Sequence, residues 1–302
     1  MTSPESRPEE FEGRIAAGKD WREIVAWVGD LPPMPHVASR AISMVENPGT
    51  TANELEKLLS SDTALAARVL KIANSAMFSR QREITTLTQA IMIIGFKALK
   101  GIIVAATLRQ LNKRSGPFET MIWQNSVVTA MAANMICQKL RKKYVDEMFL
   151  LGLLHSLGQV VLLTQLSVEY KNVFKKISES NVDFITAENE ILGFAHPLIG
   201  ALVAKKWNFS ADTCQIILHY RDVVDGEKPD SEIEEKTAIV QLADMVAHTA
   251  GVGNPEGYPD QLERMAQVGK FLGFDPKTAT DDVKKLAEEC KARFEKEGSV
   301  YG

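Results

Sequence analysis

Apolar side chains recur at spacings of three and four along nearly the whole of this chain, and nowhere do they alternate one by one for the length of a strand. That regularity restricts the fold more than any other feature. Helical stripes are buried helix against helix, so the expected fold class is all-α. With 302 residues there is material for one large core or two fused lobes.

From the N-terminus, GKDWREIVAWVGD predicts a short helix, and LPPMPH a rigid lead-in to a second one from about His36 to Glu46, stopping before Asn47-Pro48-Gly49. Thr51 is placed to cap NELEKLLS. Ser61 or Asp62 is placed to cap a helix that carries Leu65, Ala66, Val69, Leu70 and Ala73 on one stripe and ends near Asn74. Leu87, Ala90, Ile91 and Ile94 form another stripe, closed by Gly95 and followed by a helix from Ala98 to Leu111. Ser115-Gly116-Pro117 is the strongest internal break. Beyond it, helical patterns run from Phe118 to Lys142, Val145 to Leu166, Asp183 to Leu192, Pro197 to Trp207, Ala211 to Arg221 and Glu232 to Ala250.

The expected organisation is a flexible tail over 1–20, an N-terminal helical lobe over 21–115, a second helical lobe over 116–275 and an exposed C-terminal helix over 276–302. The last follows from TDDVKKLAEECKARFEKEG, which has Glu/Lys pairs at helical spacing and few large apolar residues. GVGNPEGYPD is rich in glycine but lacks the lysine and following helix of a phosphate cradle, so it reads as a turn.

The charge balance excludes some functions. Against 35 Lys and Arg stand 39 Asp and Glu, and this net acidity gives no positive field to draw the chain to nucleic acid or anionic lipid. The one basic knot, Lys139, Arg141, Lys142 and Lys143, ends a helical pattern, where cations offset the helix dipole. The apolar runs AIMIIGFKALKGIIVAATL and MFLLGLLHSLGQVVLL are broken by Lys97 and Lys100, and by His155, Ser156 and Gln159, before they reach a membrane span of about 20 residues. MTSPESRPEE lacks the pattern of an export signal, and Cys137, Cys214 and Cys290 have no CxxC spacing. These features point to a reduced cytoplasmic location with neither membrane nor nucleic acid as partner.

Of the five histidines, His155, His196 and His219 lie on successive helical segments, and Asp244 lies on a later one. Imidazoles and a carboxylate from separate helices can meet inside a bundle and hold a divalent metal. The competing reading is core histidines hydrogen-bonded to backbone, which are the commoner case. His36 at a helix start and His248 near a helix end read as local structure, and Trp123 and Trp207 as apolar anchors.

The pieces LPPMP, SSDTALAARVLKIANSAMF and ITTLTQAIMIIGFKALK resemble the HDOD family, the HD-related output domains of bacteria, and the likeness extends over about residues 25 to 225. The resemblance implies an N-terminal helical lobe packed on an HD-like lobe, related to metal-dependent HD and HD-GYP phosphohydrolases. Carried over position by position, the enzymes' first metal histidine falls at Asn125 and their His-Asp pair at His155-Ser156. Their later histidines fall at His196 and His219, with Tyr220 where a second histidine often stands, and the late aspartate falls at Asp244.

A serine hydroxyl cannot supply the anionic oxygen that two metals share, and an amide is a poorer ligand than an imidazole. A two-metal site therefore reads as degenerate, and His155, His196, His219 and Asp244 are left as ligands for one metal at most. The resemblance thus implies a non-catalytic signalling module acting through protein partners or a small ligand, with a homodimer as one form of partner and no cofactor. The alternative is a phosphohydrolase acting on a nucleotide or cyclic dinucleotide through one divalent first-row metal ion.

Overall fold

Asp20, Thr51, Asp62 and Thr86 each accept a hydrogen bond from a backbone N–H two or three residues on, and each begins a helix. In the computed structural model, which describes residues 14–15, 20–31, 33–75, 77–78, 83–111, 116–222, 224, 226–252, 261–275 and 277–301, six helices precede Pro117. They are α1 (Trp21–Asp30), α2 (His36–Glu46), α3 (Ala52–Ser60), α4 (Thr63–Ala73), α5 (Leu87–Ile94) and α6 (Phe96–Leu111). Thr51 and Glu54 form a reciprocal capping box at the start of α3. Gly95, at φ 82°, makes the bend between α5 and α6 in a region that disfavours other residues. Leu99, Ile102 and Ile103 of α6 are fully buried, and this helix lies against α2 and α4 as well as the later helix Val145–Leu154.

After the break, Pro117 is the first residue of α7 (Pro117–Lys139). Next come α8 (Val145–Leu154), α9 (Leu157–Gln165), α10 (Ser167–Ser180), α11 (Phe184–Ile191), α12 (His196–Lys206), α13 (Ala211–His219), α14 (Glu232–Thr249) and α15 (Gln261–Phe271). The chain closes with α16 (Ala279–Tyr301). α7 from Ile122 to Cys137 and α14 from Ala238 to His248 are buried nearly all round because helices cover them on several sides, α7 packing on α8, α14 and α16. The all-α expectation holds. Among the described residues the only β pairing is one isolated bridge, Ile15 to Phe194.

Three features differ from the sequence reading. The segment read as one helix from Val145 to Leu166 is two, broken at His155-Ser156. α10 and α15 were not foreseen, although Tyr170, Val173, Phe174 and Ile177 form a stripe that α10 buries. The C-terminal helix is not an exposed one: Val283, Leu286, Ala287, Cys290 and Tyr301 are buried, and Trp123 Nε1 donates to Tyr301 O at 3.0 Å. A few apolar residues at the right spacing suffice when long polar side chains project outward.

Val145–Gln165 is long and apolar enough to cross a membrane by composition, yet 83% of it is buried inside this fold. The expected tail apart from residues 14–15 and 20, the turn GVGNPEGYPD apart from Gly251 and Val252, and Ser115 of the Ser115-Gly116-Pro117 break lie outside the described residues.

Candidate functional site

The break between α8 and α9 positions the centre. A Cβ on Gly152 would stand 2.7 Å from Ala130 Cα, and one on Gly158 would stand 1.9 Å from His196 O. Glycine at both places lets α8 press against α7 and α9 against α12, with His155 at the turn between them. Its Nδ1 contacts Gly152 O at 2.5 Å and its Nε2 contacts Asn125 Oδ1 at 3.1 Å. Ser156 hydrogen-bonds Ser126 Oγ, which in turn donates to Ile122 O at 2.7 Å. The hydroxyl at position 156 is thus spent in tying this turn to α7.

Asp244, from the middle of α14, gathers the charged groups. Its Oδ1 lies 3.5 Å from His155 Nε2 and 3.3 Å from His248 Nε2, and it accepts from Asn125 Nδ2 at 3.4 Å. Its Oδ2 accepts from an Arg221 guanidinium nitrogen at 3.0 Å. The other terminal nitrogen of Arg221 donates to Asp183 Oδ2 at 3.2 Å, and the second Asp183 oxygen caps α11 by accepting from Thr186 N at 2.9 Å. Burial by itself would raise the Asp244 pKa. The His248 and His155 rings more than reverse this and hold its carboxyl well below the usual range. Asp183 is lowered in the same sense: burial opposes, while the Thr186 N–H and the Arg221 charge prevail.

A second network lies beside the first. Glu188, fully buried, accepts from His196 N at 2.8 Å, contacts His196 Nδ1 at 2.7 Å and accepts from the Tyr170 hydroxyl at 2.5 Å. His196 Nε2 meets the Tyr220 hydroxyl at 2.5 Å. Burial, then the Glu188 carboxylate, raise the Tyr170 pKa well above its ordinary value. Tyr220 stands edge-on to His155, with ring centroids 5.2 Å apart. The two networks border a cavity of about 10 Å³ that Gln159, Phe184 and Ile122 also line. That is room for about one water molecule.

The four expected ligands do not assemble. His155 and Asp244 meet, and His196 reaches the same cavity with both ring nitrogens engaged by Glu188 and Tyr220. His219 turns away into a separate groove, where its Nδ1 faces Asp222 Oδ2 at 2.7 Å and Arg14 at 3.0 Å. It sits on the last turn of α13, so its neighbour Tyr220 takes the inward direction instead. His248, read from sequence as local structure, belongs to the centre. Its position four residues after Asp244 on one helix was the available signal.

Arg221 and Glu188 were missed. Arg221 stands in LHYRD beside two residues that were weighed, whereas Glu188 has no spacing that marks it. A metal centre of the HD kind does not fit these residues. Ser156 points its hydroxyl elsewhere and Asp244 has its second oxygen on a protein cation. Among the described residues no three His, Cys, Asp or Glu side chains converge as ligands.

Comparison with known proteins gives a consistent picture. A family model for the HDOD domain matches residues 31–223. Among solved structures, an HDOD domain protein of unknown function from Geobacter sulfurreducens has a TM-score of 0.74 at 25% identity, over 91% of this chain and 96% of that one. A candidate phosphohydrolase from Shewanella amazonensis SB2B gives 0.68 at 22% identity, over 89% and 97%. A candidate signal transduction protein from Marinobacter aquaeolei VT8 gives 0.68 at 19% identity, over 95% and 63%. These last two likenesses concern the fold. An uncharacterized protein of Treponema pallidum (strain Nichols) is 22% identical over 202 residues, 67% of this chain, and the chain spans 39% of that relative's length.

Proposed function

The chain belongs to the HDOD domain family, and on that premise we propose that it works as a non-catalytic regulatory module of signal transduction, acting through a protein partner or a small ligand. The observation that carries this reading is the closure of the inherited polar centre by its own side chains. A cavity of about 10 Å³ admits no nucleotide, whereas sites for small molecules of that kind measure roughly 300–1,000 Å³. The carboxylate that would hold a metal faces Arg221 instead. The module works in the cytoplasm, needs no cofactor, and meets its partner as a separate chain or as a second copy of itself.

The competing reading, a metal-dependent phosphohydrolase, draws on one observation. The His155 Nδ1 contact with Gly152 O is the arrangement that orients a metal-binding imidazole through its other nitrogen. Turnover of cyclic dinucleotides and of an aryl phosphodiester, with Mn2+ or Mg2+ supplied, separates the two. The proposal expects wild type and His155→Ala to be indistinguishable from buffer. Metal-dependent hydrolysis that His155→Ala abolishes overturns it.

A further inference from the structure

The centre holds Ser156 and Asn125 where the family resemblance implies an acid and an imidazole, and with them Asp244, whose side chain is only 3% exposed. A carboxylate so deeply placed is costly unless a cation accompanies it. The Arg221 guanidinium, 6% exposed, lies 3.0 Å from Asp244 Oδ2 and 3.2 Å from Asp183 Oδ2, on the side of Asp244 opposite to the contacts made by His155 and His248. It therefore stands between two carboxylates from different elements, α11 and α14, as a metal ion stands between its ligands.

A guanidinium suits that position. It is planar, always charged, and presents separate N–H donors along two directions. Arg221 is also fixed in place, because its own carbonyl accepts from Arg264 at 3.3 Å and the preceding residue, Tyr220, caps α13 while its hydroxyl holds His196.

We propose that Arg221 is the resident cation of this centre: its guanidinium bridges Asp183 and Asp244 in place of a divalent ion and so keeps the centre closed to metals. Removing the charge frees Oδ2 of Asp244, whose other oxygen lies 3.5 Å from His155 Nε2 and 3.3 Å from His248 Nε2, and a carboxylate with two imidazoles is a donor set of the kind that first-row divalent ions prefer. The inference rests on the non-catalytic reading of the centre. Its test measures metal binding and folding, so it fails separately from the turnover assay.

The test uses the full chain without an affinity tag, titrated with Co2+, whose visible absorption reports ligation by imidazole and carboxylate. Wild type and Arg221→Lys, which keep the charge, are expected to show no Co2+ bound at the centre. Arg221→Gln is expected to bind Co2+ by about tenfold more tightly or better, since the buried carboxylate then loses its guanidinium partner and keeps only the His155 and His248 rings, and the added ion is expected to raise its melting temperature. Asp244→Asn in the Arg221→Gln background is expected to remove that binding and to fold better than Arg221→Gln alone without metal. Where Arg221→Gln fails to fold, recovery of folding in the double variant carries the same meaning. Wild type binding Co2+ through Asp244, Arg221→Gln binding no better than wild type, or a double variant no more stable than the single one would each overturn the proposal.

Discussion

Two sites in this molecule use the same three chemical groups. At the surface Arg14, Asp222 and His219 form an arginine–carboxylate–imidazole cluster, and in the interior Arg221, Asp244 and His155 form another. The surface side chains are 23%, 41% and 40% exposed, whereas the interior ones are 6%, 3% and 1% exposed. Water screens the first cluster, so each of its members tolerates the loss of another. In the interior the side chains are shut away from bulk solvent, and each charge depends on its neighbours. The comparison teaches that a buried polar centre holds together as a unit, because removing one member leaves a buried charge behind.

The largest effect should come from breaking the interior cluster. Arg221→Ala is expected to lower stability by about 3–5 kcal/mol, the cost of leaving one charge of a buried pair behind, as measured by urea unfolding. Gly158→Ala should follow at about 2–3 kcal/mol, because its methyl group would meet the backbone of α12 at His196 and force α9 away. The same measurement checks it, and a cost below that of an exposed helical substitution would count against the packing account.

Acid should separate the two sites next. Asp244 and Asp183 have depressed pKa values in the folded chain, so the stability they contribute is full above the unfolded carboxylate value of about 3.9 and is lost as pH falls through their folded values. Asp222 is depressed as well: burial opposes, and contacts with His219 and Arg14 prevail. Solvent exposure weakens its share. Asp244→Asn should therefore flatten the acid limb of a stability–pH curve more than Asp222→Asn does. At neutral pH Asp222→Ala should cost less than about 1 kcal/mol. The smallest effect is that of salt: raising ionic strength to about 1 M should erase much of the Asp222 contribution and little of that of Asp244.

The sequence and the structure agree best where local chemistry decides. Caps at Thr51 and Asp62, the stop at Gly95 and the break ahead of α7 were all legible, because each acts over two to four residues. The family resemblance was legible too, in motifs that lie before Pro117. The helix break at His155 was not: it depends on α8 and α9 lying against α7 and α12 through Gly152 and Gly158, contacts that no local pattern records.

The candidate site was half legible. His155 and Asp244 were found and do meet, while His219 turns outward because of where it falls on the last turn of α13. Arg221, whose guanidinium joins Asp183 to Asp244, looked like any other surface arginine in the sequence. Its burial comes from the convergence of α11, α13 and α14, and that is a property of the tertiary fold alone.

The most direct measurement is anomalous diffraction from crystals of the wild-type chain grown without chelator and soaked in Mn2+. The account predicts no anomalous peak in the centre, with Arg221 still seated between Asp183 and Asp244. A peak within a coordination distance of about 2.2 Å of His155 Nε2 and Asp244 Oδ1, with Arg221 displaced, would contradict it.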